Sequence, residues 1–439
     1  MKKPVLPWVL VILSITALKE WNTAKVFKAT AFFDACSILT ARPEDVPQNG
    51  ALVLVDESSL RSMSELHNVR WPWPRSLFAA LIAALHHAGA EKILMDFTFF
   101  EKSEPEHDDV LAAYAAACEE TVLARTSKQK PVIWANGIQV KYPKLFARSR
   151  TGLVDLGFDP DGVYRHYHLP GSLAAAALTN KVAYKSDMLR WHGGLGSSSV
   201  SLTNVAYAAA PFVVEGERLQ RQLREKGVDE TNPVEVARGL ASGLPPLEER
   251  IAVEVRGKVV FVGVNAAGTG DWKAIPVGGI EPGVLVHFTA WMNALRGEFI
   301  REAPPWGDVL ASVLLTSIIL GFGWLRPGGA WIVAVGVGLE VALLGGIFLA
   351  FRHGWFLPPA LPAASILLAM VGSVSHNFWR ESERKREIQA IFGSYVSEQV
   401  VNQLLENPDA IKLGGEKKVL TVFFSDLAGF TDLSEKLSP

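Results

Sequence analysis

The stretch ALVLVD at residues 51–56 decides the fold of the first two thirds of the chain. Its unbroken run of apolar residues is typical of a strand buried on both faces, which occurs in parallel sheets. A helical pattern follows at 75–88, with Pro74 at its start and Gly89 at its end. A second strand, KILMDF at 92–97, comes next. The order strand, helix, strand predicts an α/β domain with a mainly parallel sheet and helices packed on it.

The same alternation continues as far as residue 301. Further strands are predicted at Val132–Ala135 and at KVVFVGV, residues 258–264. Further helices are predicted at 108–118, 199–209, 214–226, 233–240 and 286–296. This pattern places one α/β domain at residues 19–303.

The composition excludes several classes of protein. The chain has 439 residues, of which 49% are hydrophobic, so a disordered chain is excluded. Its 43 basic and 45 acidic residues give a net charge of −2, so it lacks the basic field that nucleic-acid binding requires. Two cysteines, Cys36 and Cys118, are too few for a disulfide framework or a cysteine-rich zinc site. They either form one bridge or remain two buried thiols.

The last third of the chain contains three candidate membrane spans. Only four charged residues occur between 304 and 379. The apolar runs 306–325, 330–351 and 356–379 each reach the ~20 residues that cross a bilayer as a helix. Three buried helices of a soluble core would show more polar faces. A fourth, shorter run within 1–18 is interpreted as a membrane anchor or a signal segment.

Charges that flank these runs predict the orientation in the bilayer. Residues 380–387 contain seven charged side chains, four of them basic, and Lys2 and Lys3 precede the first run. Basic residues mark the cytoplasmic side of a membrane protein. The α/β domain is therefore expected outside the cytoplasm, and the chain from Arg380 onwards inside it.

The second span has two features beyond its apolar character. Alanine or glycine recurs every four residues from Ala330 to Ala350, a spacing that favours close packing of helices. Glu340 lies near the middle of the span, where an ionised carboxylate costs several kcal/mol. We interpret Glu340 either as a residue that couples the span to signalling or as a protonated group hydrogen-bonded between helices.

Three aspartates are candidates for a site in the α/β domain. Asp56, Asp96 and Asp271 follow predicted strands, and α/β proteins gather ligands at the carboxyl ends of parallel strands. Carboxylates at such positions also cap helices and turns, and both interpretations stay open.

Other motifs in this domain favour structural roles. The loop 263–271 lacks the Gly-Lys-Ser/Thr ending of a phosphate loop. The histidines at 86–87, and those at 166 and 168, lack metal-ligand spacing and are interpreted as partly buried. The WPWPR stretch at 71–75 is interpreted as the anchor of a helix start rather than a ligand site.

Several of these motifs resemble a known sensor module. In chain order they are VDESSL at 55–60, WPWPR at 71–75, AGA at 88–90, ILMDFTF at 93–99, VFVG at 260–263, GD at 270–271, PG at 282–283 and His287. Together they resemble the CHASE2 extracellular sensor domain over most of 19–301. The resemblance implies a sensor in the inner (plasma) membrane of a bacterium, followed by three spans. It implies an unidentified external ligand and no catalytic residues of its own.

The chain after the last span combines helices with one strand. Residues 380–392 continue the span as a charged helix, and 398–405 form a second helix. VLTVFFS at 419–425 is predicted as a strand, followed by Asp426, a glycine-containing turn and a helix at 432–437. A carboxylate at a strand end beside a helix start suits a metal–polyphosphate site, and it also suits an ordinary cap.

This end of the chain resembles a second family. FSDLAGFT at 424–431 resembles the opening strand and metal loop of class III adenylate and guanylate cyclases. Residues 392–397 and 413–416 resemble the linker that precedes this ferredoxin-like α/β domain. The resemblance implies a homodimer, because the active sites of these cyclases form between two catalytic domains.

The resemblance also implies a role for each residue of the metal loop. Asp426 is the catalytic position, the first of two aspartates that bind two Mg²⁺ or Mn²⁺ ions, and Leu427 lends a backbone carbonyl to one ion. The backbone N–H groups of Gly429, Phe430 and Thr431 contact the triphosphate. The nucleotide is ATP, or less commonly GTP, and one metal activates the ribose 3′-hydroxyl.

Only the opening of the cyclase domain is expected here, at 416–439, after a linker at 380–415. The second metal aspartate and the base-selecting residues are absent, so this chain alone is expected to be inactive. We expect a fragment of a longer protein rather than a truncated product. The resulting prediction is a membrane receptor that makes a 3′,5′-cyclic nucleotide and pyrophosphate. The alternative is a CHASE2 sensor that does not catalyse and acts through partner proteins.

Overall fold

The computed structural model describes most of the α/β domain, the three apolar helices and a short C-terminal segment. The described residues are 30–42, 48–99, 105–126, 132–135, 138–141, 150–178, 187–192, 199–201, 249–269, 271–304, 306–325, 328–393, 419, 421–426, 428–436 and 438. Some predicted segments and one predicted metal ligand lie outside them: 1–18, 214–226, 233–240, 398–405 and Leu427.

Twelve strands and eleven helices lie within the described residues. The strands are β1 (Gly50–Val55), β2 (Lys92–Met95), β3 (Thr121–Arg125), β4 (Val132–Ala135), β5 (Ile138–Lys141), β6 (Arg150–Leu153), β7 (Ser199–Ser201), β8 (Val259–Val264), β9 (Trp272–Ile275), β10 (Gly279–Pro282), β11 (Arg301–Glu302) and β12 (Trp355–Phe356). The helices are α1 (Thr30–Thr40), α2 (Glu57–His67), α3 (Arg75–His87), α4 (Pro105–Ala117), α5 (Leu173–Ala176), α6 (Glu249–Val255), α7 (Gly283–Arg296), α8 (Gly307–Leu325), α9 (Gly329–Arg352), α10 (Ala360–Gly393) and α11 (Phe430–Lys436).

A six-stranded sheet forms the centre of the α/β domain, in the order β6, β3, β2, β8, β1, β7. All five strand pairs are parallel, as the alternation of strands and helices predicts. Every residue of β1, β2 and β8 is buried, because helices cover both faces of the sheet. Ala51, Val53 and Val55 pack on the side of α3, α4 and α6, while Leu52 and Leu54 pack on the side of α5 and α7.

One prediction about this domain needs correction. The segment 199–209 is predicted as a helix, but its described part, Ser199–Ser201, is the edge strand β7. Pairing with Leu52–Leu54 of β1 overrides the weak helical pattern, and these three residues suit a strand equally well. Val132–Ala135 is a strand as predicted, but it forms an antiparallel hairpin with β5 outside the central sheet.

Three helices of the described chain are long and apolar enough to cross a membrane: α8, α9 and residues Ala360–Glu387 of α10. The first two agree with the predicted spans to within about two residues. The third begins four residues later than the predicted start at Phe356, which lies in β12 and pairs in parallel with β11. The helix α10 continues without interruption through the charged segment to Gly393, as predicted.

The small-residue spacing of α9 does not mediate packing within the described chain. A Cβ added at Gly338 or Gly346 would have no described neighbour within 4 Å. Close approach occurs instead at Gly336, where an added Cβ would overlap the Met370 side chain of α10. Glu340 is half-buried, and its Oε2 has no hydrogen-bond partner among the described residues.

The C-terminal segment differs from its predicted form in one respect. The described residues within 419–425 form no strand, and the side chains of Phe423 and Phe424 are 87% and 89% exposed. A strand requires a neighbour to pair with, and no described segment lies beside this one. The following helix, α11, is present and begins two residues before the predicted start.

Candidate functional site

The aspartates at the carboxyl edge of the sheet have different roles. Asp56 follows β1 and is the N-cap of α2, where its Oδ1 accepts a hydrogen bond from the Ser59 backbone N–H at 2.8 Å. The Ser58 hydroxyl donates to the same oxygen at 2.8 Å. The capping interpretation is therefore confirmed for Asp56. Asp96 and Asp271 instead lie close together in a polar cluster.

Asp96 lies just beyond β2, among polar side chains of other elements. Its backbone N–H donates to the Val262 carbonyl oxygen at 2.9 Å, which extends the contact between β2 and β8. Its Oδ1 lies 3.6 Å from Nε2 of His287 on α7, and the two side chains are 8% and 2% exposed. Nδ1 of His287 lies 2.7 Å from the Tyr167 hydroxyl. Asp96, His287 and Tyr167 thus form a buried polar row.

The Tyr167 hydroxyl contacts His287 Nδ1 and accepts a hydrogen bond from the Ala174 backbone N–H at 3.4 Å. The other ring nitrogen of His287, Nε2, faces Asp96. Burial lowers the pKa of His287 to about 3, and the positive charge of Lys273 acts in the same direction. The imidazole is therefore neutral at pH 7.

Asp96 is also mainly uncharged at neutral pH. Burial raises the pKa of Asp96 to about 8. The negative charge of Asp271 acts in the same direction, and the positive charge of Lys273 opposes it. The row therefore contains a carboxylic acid beside a neutral imidazole rather than an ion pair.

Asp271 and Lys273 form the outer part of the cluster. Lys273 Nζ lies 3.0 Å from Oδ1 of Asp271, and their side chains are 22% and 38% exposed. The Asp271 carboxylate lies against Gly283, the first residue of α7, where a Cβ would be 2.5 Å from Oδ2. A carboxylate at a helix N-terminus is electrostatically favourable, so this contact requires glycine at position 283.

We call these five residues the Asp96 cluster: Asp96, Tyr167, Asp271, Lys273 and His287. The cluster presents a carboxylic acid, a carboxylate, an ammonium group and a neutral imidazole at one edge of the sheet. Such a set can hydrogen-bond a polar ligand or change its charge when a ligand binds.

The sequence marks part of this cluster but not the rest. Asp96, Asp271 and His287 belong to motifs that carry the sensor resemblance, and the fold brings these separated motifs together. Tyr167 and Lys273 have no local spacing that marks them. The only nearby signal is the alternation of His166 and His168, which lie on the more exposed side of that segment while Tyr167 between them is buried.

The opposite end of α7 is connected to α9 through Arg190. The Asn293 side chain accepts a hydrogen bond from the Arg190 backbone N–H at 2.7 Å and donates to the Arg190 carbonyl at 3.0 Å. The Arg190 guanidinium donates to the carbonyls of Phe351 and Arg352 at 3.0 and 3.3 Å. Helix α7 therefore carries His287 near its start and Asn293 near its end, and Asn293 holds the backbone of Arg190, which in turn binds the last carbonyls of α9.

A second junction joins α1 to the sensor domain and to α9. Arg165 donates two hydrogen bonds to the Asp34 carboxylate, at 2.7 and 2.6 Å, and also pairs with Asp159 and Asp161. On the other side of α1, Phe33 makes edge-to-face contacts with Phe351 and Phe356 at 5.2 Å. Burial would raise the pKa of Asp159, but hydrogen bonds from His166 and Arg165 lower it to about 2.

The two cysteines lie in separate clusters and form no disulfide. Cys36 of α1 packs with Phe33 and Ile347 where α1 meets α9, and Cys118 packs in the core beside α3 and α4. Burial raises the pKa of the Cys36 thiol to about 11, so this cysteine stays protonated. The interpretation as two buried thiols is confirmed, and the single bridge is excluded.

The other motifs of the domain have structural roles. Trp73 is buried, Pro74 precedes α3, and Arg75 forms a buried ion pair with Asp108 at 2.5 Å, so the WPWPR stretch anchors a helix start as interpreted. In the loop after β8, the Ala267 backbone N–H donates to a side-chain oxygen of Glu57 at 2.7 Å. The Glu57 carboxylate thus accepts the hydrogen bond of a backbone N–H group that a bound phosphate would use, which agrees with the interpretation as a plain loop.

The residues predicted to bind metal and triphosphate lie at the start of α11. Asp426 is exposed and precedes a turn in which Gly429 has a positive φ of 76°. Phe430 and Thr431 are the first residues of the helix and are exposed as well. The arrangement of carboxylate, glycine turn and helix start therefore agrees with the predicted order, and Leu427 lies outside the described residues.

Comparison with known proteins identifies one relationship. The family described as CHASE2 domain matches residues 7–324. That range contains the central sheet, the Asp96 cluster and nearly all of α8. No curated protein and no solved structure matches the chain.

Proposed function

Because the chain belongs to the CHASE2 domain family, whose domain is an extracytoplasmic sensor, we propose that it is a membrane receptor that controls a class III nucleotide cyclase. The sensor domain lies outside the cytoplasm of a bacterium, and α8, α9 and α10 cross the inner membrane. The cytoplasmic end makes cyclic AMP, or less commonly cyclic GMP, in a homodimer. The external ligand binds at the Asp96 cluster.

The observation that carries this proposal is the continuity of α10. This helix has 34 residues, and it joins an apolar span to the charged segment without a break at Arg380. At 1.5 Å per residue a helix of this length reaches about 50 Å, which exceeds the ~30 Å apolar core of a bilayer. A rotation or shift of its outer end therefore reaches the cytoplasmic side directly.

Two contacts support a route from the sensor to α10. Helix α7 links His287 to Asn293, and the Arg190 guanidinium ties that end of the domain to the last carbonyls of α9. Helix α9 packs along α10, with Gly336 against Met370. A ligand that changes the charge of the Asp96 cluster would act on α7 first and on α9 and α10 next.

The cytoplasmic residues contribute one metal ligand and part of a phosphate cradle. Mg²⁺ or Mn²⁺, when bound, would activate the ribose 3′-hydroxyl and neutralise the triphosphate. The exposed Asp426 carboxylate offers the hard oxygen ligands that these ions prefer. The backbone N–H groups at Gly429, Phe430 and Thr431 would orient the triphosphate at the start of α11.

Cyclic nucleotide formation tests this proposal. Membranes from cells that express the native gene with all of its downstream coding sequence are supplied with Mn²⁺ and either ATP or GTP. Activity that is lost in Asp426→Ala and kept in Glu435→Ala, an exposed acidic residue of the following helix α11, supports a cyclase. Absence of activity with both nucleotides favours the alternative, a sensor that acts through partner proteins.

A further inference from the structure

A second group of side chains lies at the amino edge of the central sheet, away from the Asp96 cluster. His86 lies in the last turn of α3, while Cys118 and Glu120 lie in the turn between α4 and β3. One donor atom from each residue lies within 4.8 Å of the other two. The three donors are an imidazole nitrogen, a thiol sulfur and a carboxylate oxygen.

Backbone hydrogen bonds fix the positions of the two residues in the turn. The Cys118 N–H donates to the Tyr114 carbonyl at 2.9 Å, and the carbonyl of Cys118 accepts from Thr121 N–H at 2.9 Å. The Glu120 carbonyl accepts from Ile93 N–H at 3.2 Å, at the beginning of β2. His86 is held by α3 itself, so all three donors are brought together by regular structure rather than by a long loop.

We infer that His86, Cys118 and Glu120 form a binding site for one divalent transition-metal ion, with Zn²⁺ the best fit. Zn²⁺ accepts nitrogen, sulfur and oxygen ligands in a tetrahedral arrangement, whereas Mg²⁺ and Ca²⁺ require oxygen ligands. Ligand bonds of roughly 2.0–2.3 Å place tetrahedral donors roughly 3.3–3.8 Å apart. The three observed donors lie within 4.8 Å of one another.

Exposure of the three side chains suits an ion with one open position. Cys118 is 1% exposed, Glu120 has 18% of its side chain exposed, and His86 has 45%. The sulfur thus approaches from the core and the imidazole from the solvent side, which leaves the fourth position to water. His86 Nδ1 and Glu120 Oε1 are in direct contact, and the metal would replace that contact.

The ordinary alternative is a surface His–Glu pair beside a core thiol. That arrangement explains the contact of His86 with Glu120 and the packing of Cys118 in the core, whereas a metal ion would also use the convergence of all three donor atoms within 4.8 Å of one another. Cys36 lies in a different cluster, so Cys118 is not consumed by a disulfide. The metal site is independent of the proposed cyclase activity, because it involves the sensor domain alone.

Cobalt spectroscopy on the full chain tests this inference. The tag-free protein is purified in detergent micelles with a thiol reductant, stripped of metal, and titrated with Co²⁺ and then with Zn²⁺. We expect one equivalent of Co²⁺ to give a thiolate-to-cobalt charge-transfer band, and Zn²⁺ to displace it. The band must disappear in Cys118→Ser and remain in Cys36→Ser.

Surface variants keep the test decisive if Cys118→Ser fails to fold. His86→Gln and Glu120→Gln each remove one ligand from a partly exposed position and are expected to weaken Zn²⁺ binding at least tenfold. The neighbouring His87→Gln and Glu119→Gln are matched controls, because both residues are exposed and outside the group. Absence of the band, or wild-type affinity in both His86→Gln and Glu120→Gln, overturns the site.

Discussion

Replacing Asp96 with asparagine should make the sensor domain less sensitive to alkaline pH. The pKa of Asp96 is raised by burial to about 8, so the folded domain holds a proton that the unfolded chain releases near pH 4. The contribution of Asp96 to the free energy of unfolding is therefore greatest below pH 4 and is lost as the pH rises towards 8. Asparagine has the same shape and no proton to lose.

The window from pH 6.5 to pH 8 isolates this effect. His287, whose pKa is lowered to about 3, makes the domain more stable as the pH rises from 3 to 6.5 and so offsets Asp96 in that range. Above pH 6.5, of these two groups, only Asp96 still changes the stability. With the pKa at about 8 and about 1.36 kcal/mol per pKa unit, the expected loss between pH 6.5 and 8 is about 1.5 kcal/mol.

Hydrogen exchange of the central strands measures this loss. Peptides that contain β2 and β8 report the opening free energy of the sheet at each pH, after correction for the intrinsic exchange rate. Between pH 6.5 and pH 8, the opening equilibrium constant of the sheet should increase roughly tenfold more in the wild-type protein than in Asp96→Asn. Glu57→Gln removes an exposed carboxylate at the same sheet edge and should keep the wild-type slope. Equal slopes in wild type and Asp96→Asn would refute the protonated state of Asp96.

Contacts elsewhere in the protein give three further predictions. Gly283→Ala should destabilise the sensor domain by about 1–3 kcal/mol, because its Cβ meets the Asp271 carboxylate at 2.5 Å; a thermal melt that matches wild type would contradict this contact. Lowering the pH from 4 to 2 should reduce the free energy of unfolding of the domain by about 2 kcal/mol, because Asp159, whose pKa is about 2, takes up a proton. Asp159→Asn should not show this loss when unfolding is measured as a function of pH. Arg190→Ala should increase hydrogen exchange at the end of α9 while β2 remains protected, and unchanged exchange at α9 would argue against the junction.

Much of the fold could be predicted because its strands are buried on both faces. A run such as ALVLVD has no polar alternation, and this pattern occurs where helices cover both sides of a parallel sheet. The edge strand β7 could not be predicted in this way. Its three residues, Ser199–Ser201, suit a strand and a helix equally well, and pairing with the edge of β1 makes them a strand.

The candidate site shows the same division between local and tertiary information. Asp96 could be found because carboxyl ends of parallel strands gather polar groups. Its partner Tyr167 lies in an irregular segment, and Lys273 lies in a short hairpin, so neither position is marked before the chain folds. The group of His86, Cys118 and Glu120 is a further example, because histidine spacing along the sequence gives no metal signal and only packing of α3 beside the α4–β3 turn brings the donors together.

We propose a receptor whose sensor and cyclase lie on opposite sides of the membrane. The most direct measurement is cyclic nucleotide formation in sealed vesicles from cells that express the native gene, prepared in inverted and right-side-out orientations. We predict that added ATP or GTP is converted by inverted vesicles only, and that Asp426→Ala abolishes the conversion. Formation in right-side-out vesicles alone, undiminished formation in Asp426→Ala, or no formation in either orientation would contradict the account.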